Sequence, residues 1–76
     1  MRFVYTSHAR ARMVERGIAE REVEETIRNP DILKRSRSGA LHAASVWRKK
    51  FLNVIFIKLE GHVVVITVYP SERVMI

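Results

Sequence analysis

The spacing of apolar residues changes once along the chain, near Asp31. Before it, Ala9 and Met13 lie four apart, and Val23, Thr26 and Ile27 follow at three and four, the spacing that lines one side of a helix. This predicts a first helix from about Ser7 to Arg16 and a second from about Glu20 to Arg28. Thr6 or Ser7 can cap the first by accepting an orphan backbone N–H. Gly17 ends it, being the residue that enters the left-handed conformation at least cost. In the second helix, Glu20 and Glu22 in the first turn and Arg28 in the last complement the dipole. Glu24 and Arg28 are spaced for an ion pair, and Asn29-Pro30 stops the helix. Arg2 to Tyr5 is a short extended lead-in.

After Asp31 the pattern is that of strands. Ile32 and Leu33 begin a short strand or a turn onto a sheet. Ala40 to Trp47 reads as a strand, Arg48 to Lys50 as a turn. Phe51 to Leu59 and His62 to Tyr69 are rich in β-branched and aromatic residues and read as strands. Glu60-Gly61 joins them as an antiparallel hairpin, and Pro70 ends the last strand before a short polar tail. Ile55, Ile57 and Leu59, with Val64, Ile66 and Val68, are expected to meet the helices. Phe56, Lys58, Val63, Val65, Thr67 and Tyr69 then form a second, half-open face, which is a binding surface or is buried against another chain. The expected fold is α+β: two N-terminal helices on one face of a three- to four-stranded antiparallel sheet. Neither helix is long enough to stand alone, so each needs that sheet.

A chain of 76 residues makes one domain, spanning 1–76, with a thin core. It has no cysteine, which removes disulfides and thiolate chemistry. No apolar run approaches the ~18 residues of a membrane span, and no export signal opens the chain, so a cytoplasmic protein with no membrane association is expected. The formal charge is +6, unevenly spread. Residues 15–30 are net acidic, through Glu15, Glu20, Glu22, Glu24 and Glu25, and the segments on either side are basic. Such a field suits a polyanion such as a nucleic acid; it also simply keeps a small protein soluble.

His8, Arg12 and Arg16 stack at i, i+4 and i+8 along the first helix, beside the Ala9–Met13 ridge, while Arg10 points elsewhere. Cleavage of an RNA phosphodiester needs a base for the 2′-hydroxyl, cations for the phosphate and an acid for the leaving oxygen. Histidine exchanges protons near neutrality, arginine matches phosphate with a rigid fork of donors, and Tyr69 can supply a hydroxyl. The set His8, Arg12, Arg16 and Tyr69 is therefore chemically sufficient for catalysis. It is equally compatible with passive phosphate binding or a solvated basic helix. Lys34, Arg35 and Arg37, and Arg48, Lys49 and Lys50, form two further basic patches, suited to backbone contacts or to protecting sheet edges. Trp47 and Phe51 flank the second patch as stacking or core residues. His42 can face a substrate, and His62 flanks a turn. The three histidines lack metal-ligand spacing. There is no phosphate loop or dinucleotide fingerprint, so neither metal nor cofactor is expected.

The block "SHARARMVERGI" followed by "REVEETIRNP", with the closing "VVVITVYP", resembles the small family of domains of unknown function numbered 4258 (DUF4258). The matching positions are His8, Arg10, Arg12, Arg16, Gly17, Asn29, Pro30, Tyr69 and Pro70. The resemblance is weaker over 34–53, which leaves the roles of Arg35, Arg37 and His42 open. The family is similar in turn to the RelE/ParE and BrnT group of bacterial toxins. That likeness implies helices on an antiparallel sheet, metal-independent ribonuclease activity in some relatives, and a cognate antitoxin protein. On this reading His8 is the base or acid, Arg12 and Arg16 hold the scissile phosphate, Tyr69 assists, and Arg10 and Lys34 contact flanking phosphates. The rivals are a non-enzymatic basic module that binds a partner protein or nucleic acid, a ParE-like inhibitor of a protein target, and a homodimer closed over the second face.

Overall fold

The structure, a computed structural model, describes residues 1–73. Seven elements follow in order: β1 (Arg2–Tyr5), α1 (Ser7–Arg16), α2 (Glu20–Arg28), β2 (Ile32–Arg35), β3 (Leu41–Trp47), β4 (Lys50–Leu59) and β5 (His62–Ser71). The strands form one sheet in the order β1-β5-β4-β3-β2. β2 to β5 are an antiparallel meander, and β1 adds to the outside of β5 in parallel. The sheet thus has five strands rather than three or four, because the lead-in Arg2–Tyr5 pairs with His62–Val65. No helix of the described residues is long and apolar enough to cross a membrane.

Both helices end where local chemistry ends them. The Thr6 hydroxyl accepts the Ala9 N–H at 3.0 Å, and Gly17 closes α1 in the left-handed conformation at φ 65°. Ile18 N–H then bonds back to the Met13 carbonyl at 2.9 Å, and the Ile18 side chain is buried. In α2 the capping box is half made: Glu22 accepts the Ala19 N–H at 2.9 Å, but alanine has nothing to accept with in return. Val23 and Thr26 are buried as the spacing predicts. The expected Glu24–Arg28 pair does not form. Glu24 instead accepts the Tyr5 hydroxyl at 2.7 Å, and the Arg28 guanidinium lies 5.2 Å over the Phe3 ring.

The two sheet faces are largely the reverse of the expected ones. The core facing the helices is built from Leu52, Val54, Phe56, Val63, Val65 and Val68, with Ala9, Met13 and Val23 from above. Ile57 and Leu59, expected inside, are 37% and 48% exposed. Phe56, Val63 and Val65, expected on the open face, are buried. The register explains both. Val63 and Val65 sit beside Phe3 and Tyr5, the inward residues of β1. Between Thr67 (paired with Ile55) and Val65 (paired with Phe56), Ile66 has no partner. This bulge shifts the alternation by one residue, so Val68 joins Val63 and Val65 inside while Thr67 and Tyr69 turn out. Pro70 lies within β5 rather than ending it, tolerated because β5 beyond Val65 has no strand on its other side among the described residues. The tail expected after it lies partly outside those residues.

Arg48 and Lys49 form a two-residue turn between β3 and β4, with φ of 49° and 67°. Such turns favour asparagine and glycine, because side chains are strained at positive φ. Lys49→Gly is therefore expected to stabilise the protein by ~1 kcal/mol and to raise Tm by roughly 4–8 °C. A thermal melt followed by circular dichroism checks this; an unchanged or lower Tm would mean that the Lys49 side chain offsets the strain.

Candidate functional site

On the sheet face away from the helices, register places side chains in rows. One row runs Lys34, His42, Ile55, Thr67 and the next Ile32, Ala44, Asn53, Tyr69. Between them lies a cluster of hydrogen-bonded polar side chains. His42 Nε2 is 2.8 Å from Asn53 Oδ1. Asn53 Nδ2 reaches Ser71 Oγ at 2.8 Å and the Tyr69 carbonyl at 3.2 Å. The His42 and Tyr69 rings are 6.3 Å apart, tilted by 40°. Asn53 is 1% exposed, whereas His42 is half-buried and Tyr69 exposed. The cluster therefore has a buried polar base and a ring pair open to solvent. Small Ala44 beside Asn53 leaves room for the imidazole to lean diagonally across the strands.

The basic line of α1 lies elsewhere. Arg10 pairs with Glu20 at the start of α2 and stacks 4.6 Å over the Tyr5 ring, so that flank of α1 faces α2. Helical geometry then turns His8, Arg12 and Arg16 to the opposite flank of α1, the helix that packs on β5. Arg12 is ion-paired with Glu15 at 2.7 Å. His8 and Arg16 are exposed and make no hydrogen bond or ion pair among the described residues. None of the three is bonded to Tyr69 among those residues. The ring beside Tyr69 is that of His42.

A family model for a domain of unknown function (DUF4258) matches residues 5–70. The chain belongs to the DUF4258 family. No curated protein and no solved structure matches it. The matched span of this DUF4258 chain takes in α1, α2 and the whole open-face cluster except Ser71.

The remaining predicted residues fall into two patches at opposite ends of β3. Lys34 and Arg35 lie on edge strand β2, with exposed Arg37 in the following loop. Arg48, Lys49 and Lys50 occupy the β3–β4 turn and the first residue of β4. Arg48 is held there: it stacks 4.4 Å over Trp47, donates to the Gly17 carbonyl at 3.2 Å and approaches Glu22 at 3.6 Å. Trp47 is thereby taken up in packing, and Phe51 faces Val46 and Ser71 across the strands. No group of three or more His, Asp or Glu among the described residues is placed to hold a metal ion. Two concavities, of about 360 and 250 Å³, lie on the helix side of the sheet; neither is lined by His42, Asn53 or Tyr69. The open-face cluster is a surface rather than an enclosure, a shape that suits a polymer more than a small molecule.

Asn53 and Ser71 are the members of this cluster that sequence reasoning missed. The signal was present: Asn53 is the one polar residue in the run Phe51 to Ile57.

Glu22 couples the basic turn to α2. Its carboxylate accepts the Ala19 N–H and, at 2.7 Å, the Trp47 indole N–H. The Ala19 bond, then the Trp47 bond, then the Arg48 and Arg21 charges hold its pKa below the ordinary 4.5, against the opposing effect of burial. Since the folded-state value is lowered, the resulting stabilisation is present above the ordinary value and is lost as pH falls through the folded one. Glu22→Gln is expected to lower stability on the order of 1 kcal/mol near pH 7, with the gap to wild type closing as the medium is acidified below pH 4.5. Urea midpoints across that range test it; a gap independent of pH would assign the effect to packing.

Proposed function

We propose that this protein is a toxin-type, metal-independent endoribonuclease that works on an RNA strand laid across its open sheet face. The observation that carries this reading is the His42–Tyr69 pair, 6.3 Å apart on that face, with Lys34 cross-strand from His42. His42 takes the proton of a 2′-hydroxyl. The oxygen attacks the adjacent phosphorus, the bond to the 5′-oxygen breaks, and a 2′,3′-cyclic phosphate forms. The Tyr69 hydroxyl hydrogen-bonds the departing 5′-oxygen, which takes its proton from a solvent water, and His42 later returns the 2′-hydroxyl proton to solvent. Lys34 offsets charge on the phosphate. Arg12 and Arg16, on the flank of α1 away from α2, hold phosphates further along the chain. Arg37 and Lys49, in the loops at the two ends of β3, extend the basic track. The similarity of the DUF4258 family to RelE- and BrnT-type toxins supports the same reading.

A specific feature favours a second reading. Val4, Val64 and Ile57 form a cross-strand row on the open face, with Leu59 exposed beyond it. Such a row suits a protein partner: an antitoxin, a second copy of the chain, or the target of a ParE-like inhibitor.

The purified protein is expected to cut single-stranded RNA in EDTA, leaving cyclic phosphate ends. His42→Ala should lower the rate by ~10²-fold or more and leave RNA affinity near wild type. Arg12→Ala and Arg16→Ala should weaken binding and lower its salt slope by about one each. RNA binding without cleavage would replace the nuclease with a binding module, and equal cleavage by His42→Ala would remove His42 as the base. A larger loss in His8→Ala than in His42→Ala would move the base to α1.

A further inference from the structure

The hydrogen bonds around Asn53 have only one possible direction. The Tyr69 carbonyl can accept but not donate, so the Asn53 atom facing it, 3.2 Å away, is the NH₂ group. The same nitrogen is 2.8 Å from Ser71 Oγ, whose own proton is directed to the Arg73 carbonyl at 2.6 Å. The other end of the amide is therefore oxygen, which carries no hydrogen. At 2.8 Å from His42 Nε2 it requires the proton to be on that nitrogen; in the other neutral tautomer two lone pairs would face each other. The chain runs without a break from His42 Nε2–H to Asn53 Oδ1, from Asn53 Nδ2–H to Ser71 Oγ, and from Ser71 Oγ–H to the Arg73 carbonyl.

We propose that Asn53 is a positioning residue that fixes His42 as the Nε2–H tautomer and leaves Nδ1 as the atom presented to substrate. The proposal builds on the nuclease reading, in which Nδ1 then takes the 2′-hydroxyl proton. Three features of the site fit this role. Asparagine is depleted in strands, yet this one lies at 1% exposure in the middle of β4. Its polar atoms are all satisfied by partners of defined polarity. His42 Nδ1 makes no hydrogen bond among the described residues. A neutral amide also sets the ring without adding negative charge beside a phosphate, as a carboxylate in the same place would.

The test is a long-range ¹H–¹⁵N correlation of the histidine rings in the intact protein, at a pH where His42 is neutral, with RNA cleavage and RNA affinity measured in parallel. Wild type is expected to show a slowly exchanging proton on His42 Nε2 and none on Nδ1. In Asn53→Val that proton should lose its protection, and cleavage should fall at least ~10-fold with RNA affinity within about two-fold of wild type. Asn53→Asp, which keeps the acceptor, should restore the protected proton while weakening RNA binding. A proton on Nδ1 in wild type overturns the proposal without any variant, so it does not depend on Asn53→Val folding. So does a protected Nε2 proton that survives in Asn53→Val, or undiminished cleavage by that variant. The expected spectra with no cleavage by wild type would leave the tautomer assignment standing and remove the nuclease reading.

Discussion

The hydroxyl of Thr6 holds together the two features on which the rest of the molecule depends. It accepts the Ala9 N–H, which starts α1, and donates to the carbonyl of Ile66, the residue left unpaired in β5. One oxygen therefore fixes the start of the first helix against the bulge in the last strand. Without the bulge, β5 would alternate uniformly, and Thr67 and Tyr69 would point inward with Val63 and Val65. With it, Val68 completes the core and Tyr69 emerges on the open face beside His42. Bulges bend a strand and re-aim its side chains; here the re-aimed side chain is the phenol of the candidate site.

The same division organises the charge. The five glutamates of the N-terminal half lie on α2 or at the end of α1, and four of them bind cations and donors on the helix side of the sheet: Glu20 takes Arg10, Glu15 takes Arg12, Glu22 takes Arg48 and Trp47, and Glu24 takes Tyr5. Burial first, then the bond to Glu24, pushes the Tyr5 phenol well above its ordinary pKa, so Tyr5 is a neutral donor locked into the helix–sheet contact. The acids thus work as fasteners on one side of the sheet. Most exposed pairs of this kind contribute little singly. Glu22 is the exception in geometry, because one carboxylate ties the start of α2 to the far end of the β3–β4 hairpin.

What could be read from the sequence were features that local chemistry decides. Thr6, Gly17 and Asn29-Pro30 bound the helices at the expected places because caps and stops act within a few residues. The turn at Glu60-Gly61 is of the same kind. The sheet faces were not readable, because Phe51–Leu59 and His62–Tyr69 carry apolar residues on both. A two-residue period then gives alternation but not its sign. The deciding residue, Ile66, looks like its neighbours. β1 was missed because four residues alternate too briefly to distinguish a strand from a lead-in, and their partners lie near the other end of the chain. The site divided in the same way. Tyr69 stood out by its chemistry, but its neighbour His42 is two strands away, a relation set by the register of two hairpins and by the bulge.

Register also accounts for why the candidate base sits on β3 rather than on α1. A side chain in the middle of an antiparallel meander has hydrogen-bonded strands on both sides, so its position is fixed by ladders rather than by its own rotamer entropy. His42 has this support from β2 and β4, and Asn53 adds a directed bond from the next strand. His8, in the first turn of a helix and open to water, has neither. Proton transfer needs a group held within hydrogen-bond tolerance of a reacting atom, whereas phosphate attraction acts over several ångströms and accepts mobile cations. The ordered ring on the sheet fits the first task, and the exposed basic flank of α1 the second.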